Sequence, residues 1–132
     1  MDKKYFSRII ANDNAGLQVI SACCAGAEIK IADIKYLQKN KVFLLSLKRS
    51  KIETSDPDKK VISYCKFEFV DQVKSKNINQ NNPELKLKLI GMNYLKKSDN
   101  YEISLIFNNN AYITLLTEII EVSLDDQNKI DE

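Results

Sequence analysis

Residues 12–37 read NDNAGLQVISACCAGAEIKIADIKYL, and this stretch decides the fold. Asn12, Asp13 and Asn14 carry side-chain oxygens that can accept the orphan N–H groups of a first helical turn. Leu17, Ile20 and Cys24 recur at i, i+3 and i+7, one face of a helix, with Val19 and Cys23 widening the stripe. Gly26 suits the left-handed position just past a helix end. Gly16 weakens so short a helix, so packing must supply its stability. Period two then takes over: Ile29 and Ile31 alternate with Glu28 and Lys30, as in a half-buried strand. Ile34 and Tyr36 have the opposite parity. A one-residue insertion near Ala32-Asp33, a β-bulge or sharp bend, reconciles the two halves.

Working outward, Tyr5 to Ile10 predicts a first strand. Gln38 to Lys41 reads as a turn, with Asn40 tolerant of positive φ. Phe43, Leu45 and Leu47 form the return strand of a hairpin. Ser50 to Lys60 is a polar loop. Cys65, Phe67 and Phe69 then alternate with Lys66 and Glu68 in a long strand that loses its alternation and bends over Val70 to Val73. Leu85, Leu87 and Leu89 alternate with Lys86 and Lys88, and Gly91 marks a bulge. Ile103, Leu105 and Phe107 lead into Asn108-Asn109-Asn110, a hairpin loop because Asn accepts left-handed geometry. A last strand runs from Ile113 to Leu124, with a phase change near Thr117 to Ile119. The sum is α+β: one N-terminal helix packed on a strongly curved, mostly antiparallel sheet of about seven strands. Curvature closing toward a partly open barrel buries both the helix stripe and the strand faces; a flat sheet with a one-sided helix is the alternative. Residues 1–124 form one domain, and 125–132 a polar, acidic, frayed tail.

The 132 residues suffice for one domain with a real core, and 44% hydrophobic with 29% charged residues is ordinary for a globular protein. The N-terminus lacks the apolar run of a secretion signal, and no run is long enough for a membrane span, which predicts a cytoplasmic protein without membrane association. Three cysteines without C-x-x-C spacing read as small core residues in a reducing compartment. The chain has no histidine, which removes the commonest general base, the commonest metal ligand and every Ser-His or Cys-His nucleophile. No glycine loop for phosphate and no paired carboxylates of fixed geometry are identifiable. No residue is therefore assigned a catalytic, cofactor-binding or metal-ligating role, and the expectation is a non-enzymatic protein.

The net charge of +2 is unevenly placed: residues 1–117 carry 19 basic and 12 acidic side chains, residues 118–132 one basic and six acidic. Within 28–51, seven bases face only Glu28 and Asp33. Such a stretch marks either an anionic partner or a solvated sheet surface. Only Arg8 and Arg49 are arginine, whereas readout of nucleic acid favours arginine forks.

Leu17 to Ala22, Ile31 to Leu37 and Phe43 to Leu45 resemble a small family of uncharacterised alphaproteobacterial proteins, a domain of unknown function. Phe67, Val70, Val73, Ser75 and Ile78 continue the resemblance, as do Ile103 to Phe107 and Ile113 to Asp125, so that it spans nearly the whole chain. Where the family pattern has an aromatic-rich stretch with tryptophan after the third strand and a histidine late in the helix, this chain reads Leu47-Lys48-Arg49-Ser50-Lys51 and Cys23-Cys24. The resemblance implies a single full-length domain in a bacterial cytoplasm and assigns no activity, cofactor or partner.

Four residues stand out as candidates for interaction. Asp33 sits at the phase slip, where a bulge re-aims a side chain; alternatively it hydrogen-bonds backbone groups freed there. Lys48, Arg49 and Lys51, beside Tyr36 and Phe43, form the basic cluster. The first expectation is an interaction or adaptor module whose curved sheet offers an edge or groove to a protein partner. The second is a domain binding an anionic ligand or nucleic acid through the basic 30–51 stretch.

Overall fold

Three of the predicted strands change phase along their length, and the chain breaks at each phase change. The computed structural model describes residues 8–50 and 60–130, the last three by backbone alone. The strand predicted over 28–37 is β2 (Glu28–Lys30) and β3 (Ile34–Leu37), separated by a 3-10 turn at Ile31–Asp33. The long strand ending near Val73 is β5 (Lys60–Phe67) and β6 (Val70–Lys76), and the last strand is β9 (Tyr112–Thr117) and β10 (Val122–Ile130). With β1 (Arg8–Ala11), β4 (Val42–Ser50), β7 (Lys86–Lys96) and β8 (Tyr101–Phe107), the count is ten strands, not seven. Tyr5 to Ser7 of the predicted first strand lie outside the described residues.

The expected one-residue bulge at Ala32-Asp33 is larger. Glu28 faces Lys48 and Ile34 faces Leu45, so six steps along one strand (28 to 34) match three along β4 (45 to 48). An excess of three residues is odd, and it flips side-chain parity just as an excess of one does. Parity alone therefore could not tell the two apart.

The helix α1 (Asn14–Cys24) is capped by Asp13, whose Oδ1 accepts the Gly16 N–H at 2.8 Å. Leu17, Ile20 and Cys24 are fully enclosed and Cys23 is buried with them, whereas Val19 is 52% exposed and does not belong to the stripe. Gly26 has φ +85, and the Ala27 N–H closes the turn on the Cys24 carbonyl at 2.9 Å. The helix docks on a bulge in β7. There the ladder with β8 shifts between Leu89 and Gly91, and the Met92 N–H donates to Ser21 Oγ at 2.9 Å.

Every pairing among the described strands is antiparallel, in the order β1-β10-β5-β4-β2-β7-β8-β9-β6, with β3 on β4 beside β2. The class is thus α+β, as the alternation predicts. β7 joins two half-sheets: its first three residues pair with β2 and the remainder with β8. Two segments run back between the halves side by side, β5 into β6 and β9 into β10, tied by Glu68 N–H to the Glu121 carbonyl and Glu118 N–H to the Phe69 carbonyl. Phe69 takes φ +58 to make this turn, a strained conformation for a bulky residue. The inner faces of both halves and the helix stripe share one core that includes Phe43, Phe67, Leu105, Phe107, Leu115 and Leu124. The sheet does not close into a barrel.

The acidic tail expected from Asp125 is instead structural. Asp125 and Asp126 pair with Tyr64 and Ser63 within β10. Low hydrophobicity disguised the strand, because the side chain that points inward here is a carboxylate.

Candidate functional site

The structure divides the four candidate residues. Asp33 ends the 3-10 turn, is exposed, and makes no hydrogen bond among the described residues, so it does not cap the freed backbone. Those backbone groups are satisfied elsewhere: Ile31 N–H donates to the Leu85 carbonyl and Ala32 N–H to the Pro83 carbonyl, both at 3.0 Å. Lys48 lies opposite Glu28 on β4. Asp33 and Lys48 line one groove of about 330 Å³ with Glu28, Lys30, Ser46 and Lys86. Two of the four candidate residues thus line one groove of mixed charge.

Arg49 does not join them. Neighbours on a strand point to opposite faces, and Arg49 shares the parity of Phe43, Leu45 and Leu47. Its side chain and that of Asp126 are 0% exposed, and Arg49 Nη2 meets Asp126 Oδ1 at 3.0 Å. Ser63 joins the pair, accepting from Arg49 Nε at 3.0 Å and donating to Asp126 Oδ1 at 2.7 Å. This is an internal ion pair on the core face, not an interaction surface, and the parity of β4 was the signal that could have revealed it. Lys51 lies outside the described residues.

Besides Arg49, two bases of the 30–51 stretch have carboxylate partners from distant segments. Lys30 pairs with Glu84 at 3.5 Å, and Lys41 pairs with Asp71 at 2.9 Å and Glu118 at 3.2 Å. The hydrogen bond to Asp71, then that to Glu118, raises the Lys41 pKa above its ordinary value. In the core, Cys24 and Cys65 are enclosed thiols; the hydrogen bond of the Cys65 thiol to Cys24, then burial, pushes the Cys65 pKa well up. No group of three or more Cys, Asp or Glu side chains able to hold a metal occurs among the described residues.

A second groove was not anticipated. β3 pairs with β4 on one side, and β6 pairs with β9 on one side. Their other edges face each other across an opening of about 380 Å³, where the barrel fails to close. Ile34 and Tyr36 of β3 line one wall, and Val73 and Ser75 of β6 line the other. The floor is Phe43 and Ile113, members of the core. Tyr36 Oη donates to the Val70 carbonyl at 2.8 Å and closes one end, helped by Val70 N–H to the Lys41 carbonyl at 2.8 Å. At the mouth, Gln80 Nε2 donates to Ser75 Oγ at 2.7 Å. Among the described residues, no charged side chain lines this seam. Sequence reasoning missed it because it depends on which strand edges go unpaired, and alternation does not encode pairing.

Beside the closed end, Thr117 faces Val70 on β9, and its hydroxyl is buried with no hydrogen-bond partner among the described residues. No helix among those residues is long and apolar enough to cross a membrane.

A family model described as protein of unknown function (DUF2948) matches residues 7–132. No protein of curated function and no solved structure matches the chain.

Proposed function

The chain belongs to the DUF2948 family of proteins of unknown function, and from that premise we propose that it is a non-catalytic, cytoplasmic interaction module that receives an extended segment of a protein partner in the seam between β3 and β6. One observation carries the reading: two strand edges that, among the described residues, have no strand partner on their facing sides flank a mainly apolar groove of about 380 Å³ that reaches the core. Free edges offer backbone N–H and C=O groups for strand addition, and the floor offers burial for alternate side chains. The lack of histidine supports the non-catalytic part, and the enclosed thiols of Cys24 and Cys65 support a reducing compartment. An anionic ligand or nucleic acid on the 30–51 stretch is the weaker reading, because Lys30, Lys41 and Arg49 are engaged by carboxylates of the same chain.

The test is a photo-reactive residue at position 75, on the rim of the seam, against one at position 64, on the outward face of β5, in the native cytoplasm. A reproducible protein adduct from position 75 and none from position 64 is expected. Adducts from neither position, or equally from both, overturn the reading.

A further inference from the structure

The seam is apolar inside and basic outside, and the alternation of its two edges separates these properties. Val73 and Ser75 stand opposite Leu115 and Ile113 and point inward, so Lys74 and Lys76 point outward. Ile34 and Tyr36 stand opposite Leu45 and Phe43, so Lys35 points outward on the other edge. Lys35, Lys74 and Lys76 are exposed, and none has a carboxylate partner among the described residues. The one acid on β6, Asp71, is held by Lys41 at the closed end.

Resting on the proposed reading of the seam, we infer that its occupant is a short extended protein segment in which apolar residues alternate with acidic ones. A strand laid between β3 and β6 sends every second side chain onto Phe43 and Ile113, where no charged group among the described residues lines the seam to pair with a buried charge. The intervening side chains emerge between Lys35 on one side and Lys74 on the other. Opposite charges across neighbouring strands attract, and like charges repel. The same lysines disfavour a second copy of this chain, since β6 laid against another β6 brings Lys74 and Lys76 toward their own counterparts. The length is bounded by the four residues of β3 and the seven of β6.

The probes are three fluorescein-labelled octapeptides in which Val alternates with Glu, with Ser or with Lys, read by anisotropy against the full chain. The Val-Glu peptide is expected to bind about three- to ten-fold tighter than Val-Ser, from two cross-strand charge pairs, and Val-Lys weakest. The Lys35→Glu/Lys74→Glu variant, changed only at exposed positions, reverses that order, and added salt weakens Val-Glu alone. Equal binding of Val-Glu and Val-Ser overturns the acidic preference while leaving the seam as a strand acceptor. Failure of all three peptides to bind overturns both the inference and the reading beneath it. Binding that the double variant does not alter places the peptide elsewhere and overturns the inference.

Discussion

Replacing Arg49 by methionine separates a structural arginine from a functional one. Methionine keeps much of the length of the aliphatic stem but removes the guanidinium, which reaches Asp126 Oδ1 at 3.0 Å and Ser63 Oγ at 3.0 Å. Asp126 keeps the 2.7 Å hydrogen bond from Ser63 but loses the charge facing it, in a site where its side chain is 0% exposed. Removing one partner of an enclosed ion pair typically costs about 3–5 kcal/mol, because the other charge remains desolvated. For a chain of this length, each kcal/mol shifts the midpoint by about 3–5 °C, so Tm should fall by roughly 10–20 °C. That is a large share of a typical total stability of about 5–15 kcal/mol. Urea unfolding followed by circular dichroism measures the loss. Arg49→Met combined with Asp126→Leu removes both charges and should recover most of the deficit, since apolar replacement of a buried pair is often neutral. A single variant within about 1 kcal/mol of the parent, or a double variant no better than the single, refutes the assignment of this pair to the core.

Gly16→Ala, favoured by helix propensity, should instead destabilise by about 1–3 kcal/mol in the same urea assay, because the added Cβ meets Ala11 Cβ at 2.9 Å and its Cα at 3.0 Å. Thr117→Val should be neutral or stabilising by about 1 kcal/mol in thermal melts, since it replaces an enclosed hydroxyl without a partner by a methyl of the same shape. Lys41 has a folded pKa above its ordinary 10.5, so its ion pairs add stability that is fully present below pH 10.5 and lost as pH rises through the folded value. Lys41→Gln should remove that alkaline loss, a small and salt-sensitive difference in urea midpoint between pH 9 and pH values above 10.5. Cys65, enclosed and with its thiol pKa raised, should react with a thiol reagent at pH 8 only as fast as the chain unfolds, with the full rate restored in denaturant.

Much of the fold, and the inward face of Arg49, was legible once parity was followed to its consequence. The slip between Ile31 and Ile34, the lost alternation at Val70 and the switch near Thr117 each mark a place where the chain leaves one strand for another. Read as bends, they yield seven strands; read as breaks, they yield ten. Asp33 and Lys48 share a groove because the 3-10 turn projects Asp33 toward β4, and their meeting could not be read from residues 15 positions apart in sequence. Asp126 was taken for part of a tail because its sequence neighbours are polar. Its role appears only when β10 pairs with β5 and sets it beside Ser63.

Local alternation, capping residues and a glycine with positive φ are short-range properties, and the sequence by itself determined them: one helix at Asn14–Cys24, its enclosed Leu17/Ile20/Cys24 stripe, and an antiparallel α+β class. The choice of neighbour for each strand edge depends on long-range register and on the twist of the whole sheet, and only the tertiary structure decided it. That choice sets Asp126 beside the inward-pointing Arg49 and leaves β3 and β6, among the described residues, facing each other unpaired over the core. Of the basic stretch, conspicuous as a string of letters, Lys30 and Lys41 are answered by acids distant in sequence, Glu84, Asp71 and Glu118. The seam between β3 and β6 is lined by isoleucine, valine, phenylalanine and tyrosine with Ser75 and Gln80, and strand alternation by itself does not show that the core opens there.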